Sequence, residues 1–236
     1  MPKPRPWTVA PHDPIEKLED NLWAVDGEVP GVPQLRRRMV MVRLGDGRLV
    51  FHNAVPLDEA AMKEMEAWGT PSLLVVPNGY HRLDVHAWKQ RYPSLAVYCP
   101  KPAEARVRKM VPVDGAVEAL PTDASLRVEA LEGMKNGEAV LVVTSGARVS
   151  VVFGDVFHNS PPGTGFMGFM NRVMGFTGGP KVVPVQKLVL MRDREGVRKQ
   201  LARLAELPGL ARLIPSHGRI VGAEAGAVLA RAAKEM

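Results

Sequence analysis

Six side chains in this sequence are of the types that gather a metal ion: His81, Asp84, His86, Asp155, His158 and His217. Four of the chain's six histidines are among them. They fall in three polar stretches, PNGYHRLDVH (77–86), GDVFHN (154–159) and PSHG (215–218), and each stretch follows an apolar run. Imidazole nitrogen and carboxylate oxygen are donors that divalent zinc accepts, four in all, with one place left for water where the site is catalytic. On separate loops the same groups can build a two-ion clamp that generates hydroxide at neutral pH. Six candidates suffice for one such site and are thin for two. The same residues also suit plainer roles. His81 and His86 could be surface residues at a helix start, with Asp84 balancing local charge, and Asp155 could hold its loop through backbone N–H groups.

The elements that must carry these residues can be read from the apolar pattern. Leu73-Leu74-Val75-Val76, bounded by Pro71 and by Pro77-Asn78-Gly79, predicts a buried strand. A polar loop, a short helical pattern and a second apolar run, Leu95 to Cys99, complete a βαβ unit. Open α/β sheets place their chemistry at the carboxyl ends of such strands. Before this unit come a first strand over Asn21–Val29 and a hairpin of Met39–Leu44 with Arg48–Phe51 through Gly45-Asp46-Gly47. A helix follows over Leu57–Trp68, with Asp58 and Glu59 in its first turn, where the helix dipole favours anions. After the unit the pattern predicts a helix over Pro102–Met110 and a strand over Leu126–Leu131. A hairpin of Ala139–Val143 with Val149–Phe153 comes next, then a helix over Glu195–Leu207. Leu210–Ile214 is a short strand or helix end, and an alanine-rich helix over Ala223–Lys234 closes the chain. This order points to an α/β sandwich with mixed sheets rather than a doubly wound parallel sheet. Residues 1–20, with five prolines, are expected to form an irregular arm, and 21–236 a single domain.

Composition narrows the setting. At 236 residues, 46% apolar and 24% charged, the chain can bury a sizeable core. No run approaches the roughly 18 apolar residues a membrane span needs, and the amino-terminal MPKPRPWTVAP lacks the apolar stretch of a secretory signal. The single cysteine, Cys99, excludes an internal disulfide framework, fits a reducing cytoplasm and reads as an inert core thiol. A net charge of +6 invites a nucleic-acid reading, but the basic residues are dispersed. Arg36-Arg37-Arg38 is the one tight run, and no aromatic ladder interleaves with it. A solvated surface is the expectation, with neither nucleic acid nor membrane as partner. Gly163 to Gly168 matches G-x-G-x-x-G but lacks the following acidic residue, and is read as chance. The surrounding Phe166–Phe176 segment is apolar on nearly every side and bracketed by glycines. It suits a core or subunit-contact helix, which would make a homodimer through 166–176, or a lid over a cleft.

LVFHNAVPL (49–57), VVPNGYHRLDVHAWKQRYP (75–93), FGDVFHN (153–159) and IPSHGRIV (214–221) together resemble the metallo-β-lactamase-fold superfamily, from about Asn21 onward. The resemblance implies a four-layered αββα sandwich with two mixed sheets (α/β, of the α+β type) and a metal cleft at one edge. It implies an early Asp, near which Asn53 stands here, and an H-x-H-x-D-H loop. In that loop either Asn78, Tyr80 and Arg82, or His81, Asp84 and His86 in shifted spacing, take the ligand positions. Leu131 to Lys135 stands where a third, histidine-bearing loop is usual, while Asp155 and His217 match the last two signatures. The altered second signature and the missing third make this a branch with a degenerate metal motif. The activity implied is a zinc- or other divalent-metal-dependent hydrolysis of a small-molecule ester, amide, thioester or phosphoester at an eroded, weak metal site. Asp155 and His217 would be its catalytic anchors, and Asn78, Tyr80, Phe166 and Met170 would line the substrate side. The rival expectation is a non-catalytic member that binds a ligand or protein through the old cleft.

Overall fold

The computed structural model describes residues 5–121 and 123–236, without the side chains of residues 33, 34, 166, 167 and 171. Its larger sheet runs in the order β1 (Glu16–Glu19), β2 (Leu22–Val29), β3 (Val32–Arg43), β4 (Arg48–His52), β5 (Thr70–Val75), β6 (Ala96–Cys99) and β7 (Gly115–Ala116). The first four strands pair antiparallel, and β4 through β7 pair parallel. The smaller sheet comprises β8 (Leu126–Ala130), β9 (Ala139–Ser145), β10 (Arg148–Phe153) and β11 (Leu210–Pro215), in the order β11-β10-β9-β8. Its β10–β11 pair is parallel and the other pairs are antiparallel.

The apolar run at 73–76 is continuous because both faces of β5 are covered. Leu73 and Val75 pack toward the second sheet, with Leu141, Val143 and Ile214, whereas Leu74 and Val76 pack toward the helices, with Met62, Met65 and Trp88. In β9, Leu141 and Val143 face the first sheet while Val140 and Val142 pack with Leu201, Leu204 and Leu229. The outer layers are therefore helical. On one side lie α1 (Glu59–Trp68), α2 (Val85–Arg91) and α3 (Glu104–Val107), and on the other α6 (Arg194–Ala205) and α7 (Ala225–Lys234). Two further helices, α4 (Gly165–Val173) and α5 (Pro184–Val189), lie between β10 and α6 in the chain. The result is a four-layered αββα sandwich with two mixed sheets, the fold class expected above. No described helix is long and apolar enough to cross a membrane.

Local chemistry sets the boundaries. The Asp58 carboxylate accepts from the Ala61 N–H at 2.8 Å and caps α1, so the helix starts two residues later than its apolar pattern. Within the stretch expected to be an irregular arm, Glu16–Glu19 instead pairs with β2 as an edge strand. EKLE has a single apolar side chain, Leu18, too few for a strand period. The expected Pro102–Met110 helix shrinks to one α-helical turn after a tight turn at Lys101–Ala103. The glycine motif has a packing reason: a Cβ on Gly168 would lie 2.2 Å from the Gly163 carbonyl.

Candidate metal centre

The strand register brings the distant loops together. In the parallel pair β10–β11, Phe153 stands opposite Pro215, so Asp155 and His217 lie side by side, each two residues past its strand. Both histidine–carboxylate contacts fall on a single Asp155 oxygen. His81 Nε2 is 2.9 Å from Asp155 Oδ1 and His217 Nε2 is 3.4 Å from it. The three ligand atoms lie within 4.8 Å of one another. Donors bound at zinc distances on a tetrahedron sit about 3.3 Å apart, so this set of two nitrogens and one oxygen fits one divalent ion. Two of the three donors, Asp155 and His217, are braced from behind. His217 Nδ1–H donates to the Arg36 carbonyl at 2.7 Å, which turns Nε2 toward the carboxylate. Gly218, at φ 96°, completes the turn where any Cβ would meet the Asn159 carbonyl at 2.2 Å.

The loop after β5 is organised by Asn78. Its Oδ1 accepts from the Tyr80 and His81 N–H groups at 2.9 and 3.2 Å, and its amide donates to Asp155 Oδ2 at 2.9 Å. The shifted spacing therefore supplies His81 to the cluster. Tyr80 points outward, its hydroxyl accepting from the Asn136 amide at 2.9 Å and its ring lying under the Arg106 guanidinium. Arg82 donates to the Gly79 carbonyl at 2.8 Å.

Asp84 and His86 stand outside the cluster. Asp84 is fully buried in an ion pair with Arg37, while Arg38 is buried against Asp26 and the Pro215 carbonyl. Two members of the tight arginine run are thus spent inside the protein, where long-range ion pairing leaves no local sequence signal. His158 flanks the cluster: its ring stacks on His217 at 5.3 Å, Gln186 lies 3.0 Å from its Nε2, and Phe176 packs against it. That contact joins the end of the apolar 166–176 segment to the site. Met170 is half-buried on α4, and the Phe166 side chain lies outside the described residues. The stretch expected near the third signature, Leu131–Lys135, instead buries Leu131 and Met134 in the second sheet's helical core.

One residue that the sequence did not single out lies directly behind the cluster. Glu138, 0% exposed, accepts from the backbone N–H groups of Asp155 and Val156, both at 3.1 Å, and from the Asn78 amide at 3.2 Å. Its only sequence signal is an acid placed directly before the apolar run at 139–143.

Electrostatics separate the titrating groups. Burial pushes the Glu138 carboxyl up to about 7, and the Asp155 charge adds to that. Burial also acts to raise Asp155, but the His81 and His217 imidazoles outweigh it and hold the carboxyl well below its usual range. For His217, burial disfavours the charged ring, yet contact with Asp155 wins and raises it. Burial, helped by His217, pushes His158 down to about 4, so that ring is neutral at physiological pH.

No family model matches the sequence, and no curated protein is similar to it by sequence. Solved structures do match. The DIM-1 metallo-β-lactamase exposed to ceftazidime superposes with a TM-score of 0.65 at 14% identity, over 97% of this chain and 99% of that one. The metallo-β-lactamase from Hirschia baltica gives 0.60 at 15% identity, over 94% and 98%. FIM-1 from Pseudomonas aeruginosa, in its mono-zinc form, gives 0.59 at 14%, over 99% and 97%. Near-complete coverage of both partners, together with the two mixed sheets between helical layers, makes this chain a protein of the metallo-β-lactamase fold.

Proposed function

We propose that this protein is a metal-dependent hydrolase-like member of the fold, with one divalent-ion site held by His81, Asp155 and His217. The observation that supports this reading is the convergence of the two Nε2 atoms on Asp155 Oδ1, with Asp155 and His217 braced from behind. Zinc suits the donor set, and when bound it would supply polarisation of a carbonyl or phosphoryl group and a more acidic water. The chain's own part is positional. The Arg36 carbonyl keeps the His217 proton on Nδ1, Asn78 holds Asp155 Oδ2, and neutral His158 closes one flank without adding charge. The substrate class is a small ester, amide, thioester or phosphoester. A reducing compartment such as the cytoplasm is the proposed setting, on the strength of one buried thiol, Cys99. Nucleic acid is not the proposed partner, because Arg37 and Arg38 are occupied by internal carboxylates.

A second reading, a non-catalytic member that binds a ligand or partner through the cleft, draws support from the Asn78 amide. It occupies one Asp155 oxygen and leaves a single anionic donor for an ion. Elemental analysis of protein purified without an affinity tag separates the two. We expect one divalent ion per chain, lost in His81→Ala and in His217→Ala. Wild-type protein that retains no metal after dialysis against zinc would sink the first reading.

A further inference from the structure

Asp155 and His81 come from strands of different sheets, so something must fix their mutual position. The chain that links them runs through Glu138. From its place immediately before β9, this carboxylate receives the Asp155 and Val156 N–H groups on Oε2 and Oε1 respectively. The Asn78 amide also donates to Oε2 and at the same time to Asp155 Oδ2. The carbonyl end of that amide holds the Tyr80 and His81 N–H groups. The Asp155 loop is thus held directly, and the His81 loop through one intervening side chain. Space around the carboxylate is closed as well: a Cβ on Gly154 would lie 3.0 Å from both Glu138 oxygens and 2.9 Å from Pro77 Cβ. Burying an acid costs free energy unless its oxygens are used, and here three donors use them.

We infer that Glu138, acting through Asn78, is the positioning residue that sets the spacing between His81 and Asp155 across the two sheets. The inference rests on the metal-site reading above. An amide at this position presents a donor to one of the backbone N–H groups it must accept from, so Glu138→Gln breaks the network with almost no change in volume. Loss of a partner that orients metal ligands typically lowers affinity about 10–100-fold.

The test uses cobalt(II) alone as the probe, on the full chain. Wild type is expected to bind one equivalent with a visible absorption band. Glu138→Gln should bind about 10–100-fold more weakly with an altered band. Amide hydrogen exchange supplies a readout that needs no metal. Tyr80, His81, Asp155 and Val156 should exchange faster in the variant, while the amides of β2, β3 and β9 stay at wild-type rates. Unchanged cobalt affinity, or faster exchange spread evenly over both sheets, would overturn the inference. If wild type binds no cobalt, the metal reading fails by itself and local exchange alone decides the positioning role. Should Glu138→Gln not fold, Asn78→Ala replaces it under the same criteria.

Discussion

At the scale of single residues, the structure separates the side chains that converge in one cluster, His81, Asp155 and His217, from others of the same chemical types that do not. Asp84 has the right chemistry but is committed to Arg37, with both side chains buried. Removing one partner of a buried pair strands the other charge, at a cost of about 3–5 kcal/mol. Asp84→Ala should therefore lower stability by about that amount in chemical denaturation while leaving metal content at the wild-type level. Loss of the ion with stability intact would make Asp84 a ligand after all. Part of this was legible in the sequence. Asp155 and His217 each follow an apolar strand by a fixed step, and parallel pairing of those strands turns the shared step into contact. The rest was hidden for a physical reason. Arg37 and Asp84 are 47 positions apart and Glu138 and Asn78 are 60 apart, and a buried pair with such separation leaves no local period.

At the scale of elements, the helix α4 is where sequence pattern and environment disagree. Phe169 is 61% exposed and Val173 65% exposed on this helix, and Leu188 and Val189 are exposed on α5. The chain just past the carboxyl end of α4 is anchored, since Phe176 packs against His158. Full burial of a side chain of this size contributes about 1.5–3 kcal/mol, so a second copy covering this face is the proposed arrangement. Phe169→Asp should convert a dimer to a monomer in light scattering without loss of bound metal, whereas a wild-type monomer at high concentration would exclude that arrangement. Strands and helices with strong periods, such as β5, β9 and α6, were legible from the chain. Those missed, β1 and α5, are four and six residues long, and their positions depend on partners rather than on their own pattern.

At the scale of the whole molecule, the site shapes how the protein responds to acid and to the order in which it is made. His52 ends β4 fully buried, with Nε2 3.3 Å from the Ala139 carbonyl, and burial pushes its imidazole down to about 3 from 6.5. Below pH 6.5 the unfolded chain binds a proton that the folded one refuses. The stability His52 contributes is thus complete above 6.5 and lost as pH falls toward 3, at up to about 1.4 kcal/mol per pH unit. Glu138, raised to about 7, has the opposite sign, so the comparison must be made against a variant. Urea titrations should show wild type losing stability relative to His52→Gln between pH 6.5 and 4, and parallel curves would refute the assignment. The tie between the His217 ring and the Arg36 carbonyl spans 181 positions, and that between His81 and Asp155 spans 74. Contacts of such reach form late in folding. A nascent chain can therefore complete the seven-stranded sheet while still on the ribosome and yet have no binding centre. On the proposed metal-site reading the protein cannot load an ion until residue 217 has emerged and docked, so competence to bind would certify that synthesis and folding have reached the last strand.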